Sequence, residues 1–291
     1  QKLQILTKEL PLQLRREEQI LRHTIRNSIH SDANPTKALT KLCEKSFDQI
    51  FVPNPPASKE VHTLCSELQL TDIQVEQRQI QNPTPWRNNA PNIHLIAQTF
   101  GTKQQNPCKM LLDIQKLLQD HYTEYIKIYT DGSKSKKHNR TAAAIVVPEQ
   151  QLQIGARLPD DCSIYTAEFW AINKALKWIK IQTQQRHVII TDSLSVLKTL
   201  ETGATRSRAN MLEKVIKHIR ELETNQHITE FLWMPSQINL PGNDKADRVA
   251  KKNLHNNEIH SLAYSVQELC TQVRQKTNTK WQHIWNNSNK G

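Results

Sequence analysis

Leucine and isoleucine recur among Arg, Lys and Glu at roughly helical spacing over residues 3–29, at Leu10, Leu14, Ile20, Leu21, Ile25 and Ile29. A small helical unit is predicted there. Pro35 interrupts it, a second helical patch is expected over Thr36 to Ile50, and Pro53, Pro55 and Pro56 make a stiff extended stretch. A further connector runs from Gln81 to Asn92 with Pro83, Pro85 and Pro91. The first 120 residues therefore read as helices strung between proline-rich connectors, with no catalytic constellation and no internal repeat.

From Tyr125 the pattern changes. Residues 125–130, Tyr-Ile-Lys-Ile-Tyr-Thr, predict a strand ending at Asp131-Gly132-Ser133. A basic turn from Lys134 to Arg140 leads to a second apolar run, Ala142 to Val147, which Pro148 ends, and a third strand is expected from Leu152 to Arg157. A helix follows from about Ser163 to Gln182. His187 to Thr191, with three adjacent β-branched residues, reads as a strand buried on both faces. Helices are then predicted over Ser193 to Thr202 and Asn210 to Glu223, a strand around Ile228 to Trp233, and a helix from about Asn243 to Leu254. The order βββαβααβα predicts an α/β fold, a mixed five-stranded sheet flanked by helices and preceded by a mainly helical region. The expected division is a helical connection over 1–122, the α/β domain over 123–258 and a helical tail over 259–291.

Composition narrows the class. At about 150 residues per domain, 291 residues allow two domains, and a mean hydropathy of -0.66 fits a chain with linkers. The longest apolar run, Ala142 to Val147, is far short of the roughly 18 residues a membrane span needs, and no secretory signal precedes the first polar residues. The first residue is Gln1 rather than Met, as expected of a piece of a longer polypeptide. Five widely spaced cysteines without a CxxC pair argue against a disulfide framework or zinc site and for a reducing, intracellular compartment, cytoplasm and/or nucleus. The net charge of +11 favours a polyanionic partner. Residues 1–122 carry 15 Lys and Arg against 12 Asp and Glu, and residues 123–291 carry 24 against 16, so the second half holds most of the positive field.

Four acids stand out against this background. Asp131 and Asp192 each follow an apolar strand, at the strand ends where open α/β sheets gather ligands, although either residue type also suits a turn or helix cap. Glu168 lies four residues from both Ile164 and Ile172, on the apolar stripe that Ala171, Ala175 and Ile179 continue. A lone carboxylate on a buried face is costly without a partner. Asp247 lies one turn before Ala250 on a helix whose stripe is Ala246, Val249, Ala250 and Leu254. No Lys or Arg is evident as a partner for each acid, so a divalent cation is the economical counter-charge, and oxygen ligands select Mg²⁺ or Mn²⁺. Two such ions about 3.5–4 Å apart can clamp the attacking and leaving oxygens of a phosphodiester. With the basic flank, this points to phosphoryl hydrolysis on a nucleic acid.

Tyr-Thr-Asp-Gly-Ser-Lys at 129–134, Tyr-Thr-Ala-Glu at 165–168, Ile-Ile-Thr-Asp-Ser at 189–193 and Pro-Gly-Asn-Asp-Lys-Ala-Asp-Arg-Val-Ala at 241–250 resemble the four signature blocks of type 1 ribonuclease H. The resemblance covers about half the chain. It is nearest in flavour to the domain that follows the reverse transcriptase in non-LTR retrotransposon polyproteins. Pro11 to Arg16 and Trp281 to Trp285 resemble the flanks found there. The absence of a Tyr-x-Asp-Asp motif excludes an expectation of DNA synthesis. The resemblance implies that Asp131, Glu168, Asp192 and Asp247 bind two Mg²⁺ ions, with Mn²⁺ as a substitute. It further implies cleavage of the RNA strand of an RNA–DNA hybrid, leaving 3′-hydroxyl and 5′-phosphate ends, in a chain with an upstream reverse transcriptase domain in its parent polyprotein. Gly132, Ser133, Lys134, Thr166, Ser193, Gln237 and Asn243 are the expected substrate contacts, and reading the 2′-hydroxyl tells RNA from DNA.

One departure bears on turnover. The family usually carries Pro-Gly-His-x-Gly before the last acidic block, whereas this chain reads Pro235-Ser236-Gln237-Ile238-Asn239. Gln237 takes the His position and cannot titrate near neutrality, so a slower enzyme is expected. The alternative is a catalytically weakened nucleic-acid-binding module of the same fold. A transposase or integrase would order its acids Asp, Asp, Glu rather than Asp, Glu, Asp, Asp. Lys136, Lys137, Arg140, Arg206 and Arg208 are equally readable as phosphate contacts or solvated charge. Trp170 and Trp178 read as packing residues rather than base-stacking ones.

Overall fold

A computed structural model describes residues 10–29, 57–70, 74–77, 91–100 and 107–287 of the chain. Its helices are α1 (Leu12–Ser28), α2 (Ala57–Glu67), α3 (Pro107–His121), α4 (Ile164–Ile179), α5 (Leu194–Thr202), α6 (Ala209–Thr224), α7 (Pro241–Asn253) and α8 (Val266–Asn287). The strands are β1 (Asn92–His94), β2 (Ile126–Lys134), β3 (Thr141–Val147), β4 (Leu152–Leu158), β5 (Arg186–Thr191) and β6 (Ile228–Trp233). The chain divides into two units, Gln1–Ile80 with Ala263–Gly291, and Gln81–Leu262. The expected patch over Thr36 to Ile50 and the prolines at 53–56, 83 and 85 lie outside the described residues.

In the second unit the sheet runs β1-β6-β5-β2-β3-β4. β1, β6, β5 and β2 are parallel, and β2, β3 and β4 form an antiparallel meander. All five expected strands are present, and β1 makes a sixth by pairing Ile93 with Phe231 at the β6 edge. Three residues directly after Pro91 are too few for alternation to show in a sequence. The edge is fastened by Glu230 of β6, whose carboxylate lies 3.1 Å from His94 Nε2 and accepts from the Tyr125 hydroxyl at 2.8 Å.

The sheet is covered on both faces because successive side chains of a strand point to opposite sides. Tyr129 of β2 packs against Gly242 of α7, so closely that a Cβ at Gly242 would sit 2.3 Å from the ring. Gly132, of opposite parity, faces Ala167 and Glu168 of α4. On the Tyr129 side, α3 buries Met110, Ile114, Leu117 and Leu118 in one cluster with Val188, Ile190, Leu232 and Met234. Their i, i+4, i+7, i+8 spacing is an amphipathic pattern. The unit thus draws on residues before 123, and it also extends past 258, where the His260 N–H donates to the Arg157 carbonyl at 2.7 Å. Trp170 and Trp178 of α4 are buried and meet the rings of His260 and His187 edge-on, as packing residues do.

The first unit packs α1, α2 and α8 around Leu21, Leu64, Leu68, Leu70 and Val273. A reciprocal cap starts α8: the Ser265 hydroxyl accepts the Glu268 N–H at 3.2 Å, and the Glu268 carboxylate accepts the Ser265 N–H at 3.0 Å. Lys280 of α8 reaches Glu17 of α1 at 3.0 Å and Glu67 of α2 at 2.9 Å, joining the three helices. Among the described residues, Cys65, Cys108, Cys162 and Cys270 form no disulfide, and no helix is long and apolar enough to cross a membrane.

Candidate metal centre

The parallel register of β2 and β5 brings the first two acids together. Thr130 pairs with Thr191, so the next residues, Asp131 and Asp192, stand side by side where β5 ends. The sequence pattern ends β2 at Asp131, but the strand continues to Lys134 on β3 alone. Its Asp-Gly pair is therefore a strand segment, not a turn. Gly132 is needed for close approach: a Cβ there would lie 2.9 Å from the Glu168 backbone nitrogen and 2.9 Å from Ala167 Cβ. This contact with α4 is one that only a glycine permits. It brings the third acid, Glu168, up to the strand end. Ser163 caps α4 by accepting the Thr166 N–H and so fixes the helix start.

Asp131, Glu168 and Asp192 each offer a carboxylate oxygen within 4.8 Å of the others. Asp131 and Glu168 are buried and Asp192 is half-buried. Asp131 Oδ2 and Glu168 Oε2 have no hydrogen-bond partner. Burial, then the charges of Asp192 and Asp247, push the Asp131 carboxyl up to about 8, against the opposing pull of Lys251 and the Gly132 N–H. Burial and the charges of Asp192 and Asp131 hold Glu168 well above the ordinary carboxylate range. Metal binding by itself does not call for raised values. Without a cation, desolvation and like charge make them unavoidable. Orphaned acceptor oxygens on converging buried carboxylates fit a hard divalent cation.

Asp247 lies outside that 4.8 Å group. It is half-buried on α7, and Lys251, one turn on, donates to its Oδ2 at 2.7 Å. The expectation that no basic partner serves the acids is thus corrected for this one. The i, i+4 spacing of Asp247 and Lys251 was the available signal. Asp247 still faces the site closely enough for its charge to raise Asp131. Asn243, one turn before Asp247, is buried with Oδ1 unpartnered.

The remaining expected contacts divide. Ser133 and Ser193 flank the acids, the latter beside Asp192 with its hydroxyl 3.4 Å from that of Ser195. Thr166 is fully buried, and its hydroxyl accepts from Arg208 Nε at 2.9 Å and meets the Ser163 hydroxyl. Neither Thr166 nor Arg208 presents its side chain to a substrate. Arg208 is a buried buttress between the α6 start and α4, a role linear spacing does not reveal. The Lys134 ammonium donates to the Cys162 carbonyl at 2.8 Å, while Lys136, Lys137 and Arg206 are exposed. Gln237 is exposed at φ 58° and Asn239 at φ 59°, with Ile238 buried between them. Asn is among the non-glycine residues that best tolerate this left-handed region, so Asn239 adopts it at little cost.

Comparison with known proteins agrees with this architecture. Residues 123–255 match the family model for RNase H. The chain is 27% identical to rat Ribonuclease H1 over 150 residues, 46% of this chain and 52% of that protein. It is 26% identical to human Ribonuclease H1 over 148 residues, again 46% of this chain and 52% of that protein. A Gag-Pol polyprotein of feline leukemia virus is 26% identical over 165 residues, 55% of this chain and 9% of the polyprotein. The chain spans about half the length of the Ribonuclease H1 proteins it matches. Sheet topology, acid order and family match together give residues 123–255 the fold of the RNase H family.

Proposed function

We propose that this protein hydrolyses the RNA strand of RNA–DNA hybrids in a reaction that depends on divalent metal. The observation that carries the reading is the convergence of Asp131, Glu168 and Asp192, with two buried oxygens lacking any partner. Asp131, Glu168 and Asp192, joined by Asp247, would hold two Mg²⁺ ions, or Mn²⁺ in their place. Such ions supply charge for the attacking water and the departing oxygen of a phosphodiester.

The chain's own residues do the rest. Gly132 presses β2 on α4 and gives the acids a fixed spacing, which spares the site reorganisation during reaction. Ser133, Ser193 and Asn243 stand beside the acids as candidate contacts to the hybrid's sugars and phosphates. Lys136 and Lys137 offer exposed charge nearby in sequence, as phosphate contacts require. Gln237 can hydrogen-bond a phosphate or water but cannot carry a proton between them near neutrality. The Gag-Pol match and the signature blocks support a place in a retroelement polyprotein, where the resemblance implies an upstream reverse transcriptase, and the widely spaced cysteines favour an intracellular setting.

The test offers the purified protein an RNA–DNA hybrid, double-stranded RNA and double-stranded DNA of one sequence with Mg²⁺. Cutting confined to the RNA strand of the hybrid, with 5′-phosphate and 3′-hydroxyl ends, is the expected result. Tight hybrid binding without cutting by the folded protein would contradict it and favour a binding module.

A further inference from the structure

We infer that Lys251 is a built-in counter-ion that competes with a divalent cation for Asp247, and so sets how much metal the site requires. The inference rests on the metal-binding reading above and concerns the fourth acid alone. Three carboxylates converge on one point, whereas the fourth lies outside that group and pairs with an ammonium 2.7 Å from its Oδ2. Both members of that pair sit on α7, four residues apart, so the helix itself keeps them in register. Lys251 also acts on Asp131 electrostatically, so its charge extends into the trio.

The competition follows from charge and geometry. A cation drawn to Asp247 would share its carboxylate with the Lys251 ammonium, so the two positive charges oppose each other whether the cation takes Oδ1 or displaces the ammonium from Oδ2. The ammonium, tethered to the same helix, then remains as a nearby positive charge. Lys251 is 62% exposed and Asp247 37% exposed, so the pair is solvent-screened and weak enough to open. A weak pair that opens suits a site whose fourth ligand is recruited after the first three. Lys252, the next residue, is exposed and carries the same charge without that contact to Asp247.

The test titrates Mn²⁺ into the 291-residue chain without nucleic acid and follows free Mn²⁺ by electron paramagnetic resonance, comparing wild type, Lys251→Gln and Lys252→Gln at low and high salt. Circular dichroism checks that each is folded. Lys251→Gln is expected to bind the weaker Mn²⁺ equivalent about three- to tenfold more tightly, the scale of one exposed ion pair plus one removed charge, with the gain shrinking in high salt. Lys252→Gln is expected to change it less than about twofold, the effect of a screened distant charge. Equal changes in both variants, or none in Lys251→Gln, would overturn the inference while leaving the metal centre in place. Absence of Mn²⁺ binding by the wild type would overturn both.

Discussion

Asp131 answers to two opposed demands, burial under α4 and α7 and a negative charge for a cation. Metal-free, its carboxyl is pushed up to about 8 by burial and by Asp192 and Asp247. Binding a cation therefore requires losing a proton, and affinity should fall as the pH drops below about 8. The same shift weakens the metal-free fold at high pH. The folded carboxyl holds its proton over a range where the unfolded one does not, so stability is present in acid and lost as pH rises through about 8. Asp131→Asn should raise the melting temperature of the metal-free protein at about pH 9 and abolish metal binding. A lower melting temperature there would contradict this account. Gln237 concerns proton transfer rather than binding. Its exposed position on a left-handed turn tolerates exchange, and Gln237→His should raise kcat several-fold with little change in hybrid affinity. An unchanged kcat would show that this loop does not limit turnover.

At the scale of elements, glycines decide where the layers touch. Gly242→Ala would drive a Cβ to 2.3 Å from the buried Tyr129 ring. Thermal unfolding should show a loss of about 1–3 kcal/mol, the range for overpacking a core. Gly155→Ala meets the Asn253 side chain, which can move aside only by giving up its 2.9 Å hydrogen bond to the Val249 carbonyl, and should cost less than Gly242→Ala, about 1 kcal/mol. Equal losses at the two positions would contradict this reading of the packing. The elements themselves were largely legible. Alternation and β-branched runs reveal β2 to β6, and apolar stripes reveal α4 to α7. β1 was not legible because its pairing with β6 is decided by tertiary contact. The spacing of Met110, Ile114, Leu117 and Leu118 was visible in the sequence, but nothing local ties α3 to a sheet whose strands β2 to β6 all follow it.

At the scale of the whole molecule, the first unit joins two segments that local pattern cannot connect. Lys280 meets Glu17 across 263 positions of sequence, so a division into consecutive segments could not anticipate the first unit. The four acids were legible for the opposite reason: a carboxylate on an apolar stripe, or just after an apolar strand, departs from the local pattern. Thr166 and Arg208 were not legible as interior residues, because polar side chains that satisfy each other inside a fold look in sequence like surface groups. The convergence of the acids on one centre is the central claim, and the most direct measurement is cleavage of a hybrid labelled on its RNA strand, with Mg²⁺ or with EDTA, by wild type and Asp192→Asn. Cutting by wild type in Mg²⁺ alone, and none by a folded Asp192→Asn, is the predicted result. Cutting that persists in EDTA or survives the loss of Asp192 would contradict it.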